Sequence, residues 1–371
     1  MKSSFYLIRV RGIPIGLNYS WFAIFLLITA TLATYVFPGL YPEWSTASHW
    51  MIGLATSLLF FLSLLVHELA HSLVAQTMGI EVREITLFIF GGAARISREA
   101  SPPRAETVMA LAGPLASLGL AGVFALVWVL LEGVVEPLSA MGYYLCVINL
   151  LLAAFNLLPG FPLDGGRVLR SAVWWRTGNY KKATRIAGRA GQTLGLLFVV
   201  GGVPLGVLYY WFNGMWSILI GGFLWVAATA SLRQAMLREG LAGLSAKDLM
   251  TGDCRLVPAQ ATVQALVDEY APLDARRCLL VGDLNGIEGV VTSEDIKQVP
   301  RRRWSETSVA EAMTPLTRVG LVKPDDGALS VLERLGNSGT DILLVASGTT
   351  VVGAIEGSRV REVGMGRVTA A

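Results

Sequence analysis

The chain has 371 residues, 53% of them hydrophobic and 15% charged, with a formal net charge of +3. A soluble domain carries about 25% charge, so the composition excludes a single water-soluble domain, and so small a net charge gives no reason to expect nucleic acid as a partner. Three cysteines, Cys146, Cys254 and Cys278, stand far apart without a CxxC pair and suggest neither a disulfide framework nor a thiolate metal site.

In chain order, the N-terminus comes first. No cleavable signal peptide is expected, because the opening residues lack an apolar run followed by a small-residue cleavage site. Leu7–Ile15 reads as a short strand, a Gly-Ile-Pro break and a second apolar piece. The long apolar runs then fall within 17–232, and from 233 onward the sequence reads as an ordinary soluble domain. A bilayer core takes about 20 apolar residues as helix. Six segments qualify: 18–37, 51–78, 106–131, 139–157, 192–211 and 216–232. Arg83, Arg95, Arg98 and Arg104 lie between the second and third; Arg167, Arg170, Arg176, Lys181, Lys182, Arg185 and Arg189 lie between the fourth and fifth. The opposite loops carry Glu43, Glu132 and Glu136. The positive-inside rule puts both basic loops, and with six spans both termini, in the cytoplasm of a cell-membrane protein. Trp21, Trp44, Trp50, Trp211 and Trp216 near span ends fit an aromatic belt.

Ile85–Ile96 is rich in β-branched and aromatic residues around Gly91-Gly92 and reads as a hairpin or re-entrant strand loop. Open backbone at membrane depth survives only when buried in protein or lining a wet cavity, so this loop is expected to pack on the helical bundle. The tail holds two similar blocks. DLM (248–250) precedes CLLVGDLNGIEGVVTSEDI (278–296), and AMTP (312–315) precedes ILLVASGTTVVGAIEGSRV (342–360). Each has a strand, a turn, a second strand and a helix start, as in a pair of α+β modules.

The second span contains His67-Glu68-Leu69-Ala70-His71. Positions i and i+4 project from one helical face. Two imidazoles so placed can hold one Zn²⁺, with the glutamate beside them as proton acceptor. Three specified positions also arise by chance, but three ionisable side chains inside a span are costly and mark function. A catalytic zinc needs a third protein ligand and one open position. His49, the only other histidine, is roughly 27 Å from His67 along a helix. A carboxylate is therefore expected, and Asp164 in NLLPGFPLDGG (156–166) is the best candidate. Pro159, Pro162 and Gly165-Gly166 would end the fourth span and turn the backbone there. A plain helix-end turn would use the same residue types.

HELAH at 67–71, the Gly91-Gly92 loop and NLLPGFPLDGG at 156–166 together resemble the site-2 protease family of intramembrane metalloproteases, over most of 5–235. The resemblance implies one Zn²⁺ per chain on His67, His71 and Asp164, with Glu68 as base. It places Asn156 near the metal, at the scissile carbonyl or its oxyanion. It also implies that Gly91 and Gly92 hold an unwound substrate by strand addition. A plain turn is the simpler reading of the two glycines. The tail resembles a pair of cystathionine-β-synthase (CBS) domains, which bind adenine nucleotides. Gly289-Val-Val-Thr292-Ser-Glu-Asp295 fits that family's pattern, with Thr292 and Asp295 on phosphate and ribose. Glu356 and Arg359 depart from it in the second block, so at most one good nucleotide site is expected. A purely structural dimerisation module is the alternative for the tail.

The expected fold is thus a polytopic α-helical membrane protein of six transmembrane helices with a C-terminal soluble α+β CBS-domain pair. The expected limits are 1–235 for the protease domain, 236–245 for a linker and 246–371 for the pair, divided as 246–305 and 306–365. The expected function is a zinc-dependent endopeptidase that cuts transmembrane helices of membrane-bound regulatory proteins in the lipid bilayer. His67 would then lie roughly 16 Å from the cytoplasmic end of its span, beneath a polar cavity. Intramembrane His, Glu and Asp would equally suit a transporter or metal channel gated by CBS domains, although transport has no need of an H-E-x-x-H spacing.

Overall fold

A computed structural model of the chain describes residues 5–89, 91–96, 102–208, 210–252, 254–269, 278–283, 286–348 and 350–369. The chain divides into two compact units, Met1–Leu232 and Arg233–Ala371.

The first unit opens with β1 (Phe5–Val10) and β2 (Ile13–Leu17), an antiparallel hairpin. Its turn residues Arg11 and Gly12 both have positive φ, 47° and 84°, the conformation whose twist matches paired strands. Asn18 then caps α1 (Tyr19–Thr31) by accepting from the Ser20 amide. A π-helical turn at Leu32–Val36 leads into α2 (Phe37–Leu40), and together they make one span of 22 residues. Ser45 caps α3 (Thr46–Thr77). At 1.5 Å per residue its 32 residues exceed a hydrocarbon core of about 30 Å, so α3 projects beyond it. The hairpin β3 (Val82–Phe88) and β4 (Gly91–Ile96) follows. After it come α4 (Pro103–Leu131), α5 (Glu136–Asn156), α6 (Asp164–Thr177), α7 (Tyr180–Leu208) and α8 (Trp211–Leu241).

Among the described residues, six helices are long and apolar enough to cross a membrane, and only 17–39% of the apolar stretch of each is buried within the protein. Side chains such as Leu26, Val129 and Val207 stand on the outside, and the hydrophobic surface they form needs lipid around it. The chain is a multi-pass membrane protein. The four strands form one sheet in the order β1-β2-β3-β4, with β2 and β3 parallel. Ile13, Ile15, Val82 and Ile85 pack with Ala75 and Met109, so the sheet seats on the C-terminal part of α3 and the start of α4. The expected hairpin at 85–96 is present, and β4 is an edge strand.

Helix ends differ from the sequence reading, as at the sixth span, which runs Trp211–Leu241 against the expected 216–232. The fifth span begins at Tyr180, so Lys181, Lys182, Arg185 and Arg189 ride on its first turns instead of a loop. Asp164 does not close the fourth span, which ends at Asn156, but opens a separate helix, α6. Pro114 and Pro204 sit inside α4 and α7 without ending them, as spans tolerate when neighbours satisfy the freed carbonyls.

The second unit contains two repeats of one topology. The first comprises β5 (Cys254–Val257), α10 (Val263–Glu269), β6 (Cys278–Asp283), β7 (Gly286–Val291) and α11 (Ser293–Gln298), preceded by α9 (Ala246–Leu249). The second comprises α12 (Val309–Ala312), β8 (Thr314–Pro315), β9 (Gly320–Val322), α13 (Ala328–Ser338), β10 (Ile342–Ser347), β11 (Thr350–Glu356) and α14 (Gly357–Thr369). In each, a parallel pair (β5 with β6, β9 with β10) continues into an antiparallel one (β6 with β7, β10 with β11).

The segments that lead into the repeats are exchanged. Leu241, Ala246 and Leu249 pack with Val322, Val331 and Leu343 of the second repeat, whereas Val309 packs with Val257, Leu266 and Val291 of the first. Thr251 bridges Ala354 on β11, and Thr314 pairs with Val290 on β7. Gly353 and Gly289 make room for this: an added Cβ would meet the Thr251 carbonyl at 2.8 Å and the Thr314 carbonyl at 2.6 Å. A division into 246–305 and 306–365 therefore does not separate the two cores. Nor is 236–245 a plain linker, because α8 runs through Leu241 and that residue is fully buried.

Candidate metal centre

The pentad lies within α3, where His67 and His71 are both buried and Glu68 is half-buried. The two imidazoles point into α4. His67 Nδ1 is 2.9 Å from Ser117 Oγ, and His71 Nδ1 is 2.7 Å from the carbonyl of Met109. A carbonyl only accepts, so His71 carries a proton on Nδ1, and the neutral ring then presents a lone pair at Nε2. The other three distances close a triangle. His67 Nε2 and His71 Nε2 are 3.2 Å apart, and Asp164 Oδ2 stands 3.2 Å from the first and 3.1 Å from the second.

Among the described residues this is a three-residue donor group suited to a metal ion. Donor atoms around a tetrahedral zinc with bonds of 2.0–2.1 Å stand about 3.3 Å from one another. The observed separations match that spacing, and two nitrogens with one carboxylate oxygen form the donor chemistry of a catalytic zinc site with one position left open. The residues present therefore fit the ion.

Gly113 explains why α4 can come so close. A Cβ there would collide with Nε2 of His71 and lie 2.6 Å from Nε2 of His67. Glu106, Met109, Gly113 and Ser117 recur at helical spacing and are all buried, forming one stripe of α4 that faces the centre. Sequence reasoning missed this stripe. A backbone carbonyl has no residue-type signature, and glycine and serine in a span read as ordinary helix-packing residues.

Glu68 does not join the triangle but underlies the hairpin. A Cβ added at Gly92 would run into Cγ of Glu68 and stand 2.9 Å from Cδ and 3.1 Å from Oε1. Gly91, paired with Phe88, has φ +133°, which favours glycine. The glycine strand thus lies against the glutamate, with the outer edge of β4 bare of any described strand. Asn156 is the last residue of α5, and its side-chain amide donates to the Leu152 carbonyl at 2.9 Å. His49 lies away from the centre, its Nε2 2.9 Å from the Tyr41 carbonyl.

In the tail, Thr292 and Asp295 cap α11 reciprocally. Thr292 Oγ1 accepts from the Asp295 amide, and Asp295 Oδ2 accepts from the Thr292 amide at 2.8 Å and hydroxyl at 2.7 Å. Thr314 donates to the other carboxylate oxygen at 3.1 Å.

Comparison with known proteins adds to this geometry. The profile of Peptidase family M50 matches residues 55–143 and 133–200. Over 93% of its length the chain is 37% identical to sll0528 of Synechocystis sp., named as a zinc metalloprotease, and covers 91% of it. Rip3 of Mycobacterium tuberculosis, likewise named, is 33% identical over 97% of this chain and 92% of that protein. Among solved structures, the site-2 protease from Methanocaldococcus jannaschii aligns over 62% of this chain and 94% of its own, at 28% identity and TM-score 0.43. The CBS domain of a bacterial CNNM/CorC-family Mg²⁺ transporter, solved with ATP, aligns over 36% and 98% at 18% identity and TM-score 0.30. With a likeness to zinc metalloproteases that runs nearly end to end, and an HExxH helix whose imidazoles meet a carboxylate at one buried point, the chain belongs to peptidase family M50, the membrane-embedded zinc metalloproteases.

Proposed function

We propose that this hydrolase is an endopeptidase that cuts transmembrane helices of membrane-bound regulatory proteins, and that its active centre is His67, Glu68, His71 and Asp164. The observation that carries the reading is the triangle of potential donor atoms at 3.1–3.2 Å between two imidazoles and one carboxylate. Two imidazole nitrogens and a carboxylate oxygen at this spacing in a buried site suit a bound cation. His67, His71 and Asp164 hold one zinc per chain, and the ion supplies Lewis acidity to the scissile carbonyl and to water. Glu68 takes the proton of the attacking water and delivers it to the leaving amine.

A helical substrate hides its carbonyls, so it must unwind before attack. The edge of β4 at Gly91 and Gly92 receives the unwound segment as an added strand, with Glu68 beneath it. Asn156 orients the scissile carbonyl or its oxyanion, leaving its present bond to Leu152 to do so. The protease domain ends near 235, and the CBS-type pair over 246–371 modulates it from the cytoplasm. The basic residues on the loops and on the first turns of α7 support this orientation, with both termini cytoplasmic in the cell membrane. An adenine nucleotide at Thr292 and Asp295, and a homodimer through the tail, complete the reading. Membership of a protease family displaces the gated transporter as an explanation for the intramembrane His, Glu and Asp.

The test pairs metal with activity. Glu68→Gln should retain zinc in the purified protein while cleavage of a candidate transmembrane substrate falls by about 10²- to 10⁴-fold. Loss of zinc in that variant would overturn the assignment of Glu68 as base.

A further inference from the structure

The metal triangle needs Asp164 to arrive from outside the helix pair that carries everything else. Asp164 is the first residue of α6, entered from the Pro-Gly turn after α5. A helix start on a turn is free to shift unless something fixes the helix. Six residues further along α6, Arg170 is 4% exposed, and on α4 Glu106 is 0% exposed. Arg170 Nε donates to Glu106 Oε1 at 2.7 Å, and Nη2 donates to the same oxygen. Nη1 donates to the Tyr180 hydroxyl, also at 2.7 Å. The guanidinium lies 5.1 Å from the ring centre of Phe161 and 5.0 Å from that of Tyr180. Its neighbour Ser171 donates to the Pro103 carbonyl at 2.6 Å and meets Thr107 Oγ1 at the same distance.

Burying a charged pair is not a cheap route to stability; an apolar pair of the same shape does as well or better. What the pair supplies is a single relative position for two helices. Glu106 is the first member of the α4 stripe whose later members, the Met109 carbonyl, Gly113 and Ser117, set both imidazoles. One face of α4 thus holds the two histidines directly and α6 through Arg170. We infer that Arg170, locked onto Glu106 and Tyr180, is a positioning residue for the metal centre: it fixes α6 so that Asp164 Oδ2 completes the donor triangle. The inference rests on the metal-site reading proposed above.

A double-mutant cycle on the full chain in detergent, probed with Co²⁺ and read from its visible absorption, tests it. Arg170→Gln should weaken Co²⁺ binding by about 10- to 100-fold, the cost typical of disturbing a group behind a ligand. In an Asp164→Ala background the same substitution should cost less than about twofold, because a residue acting through Asp164 has nothing left to place. If Arg170→Gln does not fold, Tyr180→Phe, which removes only one hydroxyl from the guanidinium, carries the same cycle with a smaller loss. Equal losses in both backgrounds, or no loss beside an intact Asp164, overturn the inference while leaving the metal site standing. Unchanged Co²⁺ binding in Asp164→Ala itself overturns both.

Discussion

Asp164 and Asp295 both lie in the first turn of a helix, one in each unit. Asp164 Oδ2 reaches His67 and His71, 97 and 93 positions away. Asp295 spends one oxygen on Thr292, three positions back, and the other on Thr314. The first is set against two imidazole nitrogens by distant elements; the second closes a reciprocal cap on Thr292 and accepts from the Thr314 hydroxyl. An aspartate near a helix start therefore does not by itself declare what it bonds. In the membrane unit its partners come from remote elements.

The comparison can be tested by removing what each aspartate depends on. The largest effect is expected at Gly113, since a methyl group there meets both imidazoles: Gly113→Ala should reduce zinc affinity by at least about 100-fold, measured by chelator competition on purified protein. Ser117→Ala removes the partner of His67 Nδ1 but leaves space and ligands intact. A loss of about tenfold is expected, and an unchanged affinity would show that His67 needs no outer partner. Thr292→Ala removes the tail's cap. It should cost about 1 kcal/mol, seen as a fall of a few degrees in the melting of the second unit, with zinc content unchanged. A change in zinc content would mean the two units are not energetically separate. His49→Ala should leave metal binding untouched, because His49 bonds the Tyr41 carbonyl near the far end of α3.

The features legible in the sequence were those with local signatures. HELAH declares itself by spacing within one helix, and Asp164 is reachable because a histidine pair lacks a third ligand and the Pro- and Gly-rich stretch after the fourth span offers a carboxylate. The hairpin around Gly91-Gly92 announced itself through β-branched residues and two glycines. The α4 stripe did not, because one of its members acts through a backbone carbonyl and another through the absence of a side chain. The start of α7 is not legible, since charged residues on a helix that outruns the hydrocarbon look the same as charged residues in a loop. The similarity of the two tail blocks was plain, but not that Met250–Thr251 and Met313–Thr314 each serve the other block's sheet. A sequence repeat reads as two self-contained units, and an exchange between them leaves composition unchanged.

That exchange has a consequence for how the tail can be cut or inherited. Neither repeat owns a complete core, since each borrows its leading segment from the stretch of chain before its sibling. Stopping the chain after Gln298 would strip β7 of β8, one of its two neighbour strands, and remove Val309 from the first core, while starting it at Val309 would deprive the second core of Leu241, Ala246 and Leu249. The two halves are interlocked like clasped hands, so loss, duplication or transplantation of this region has to move both together.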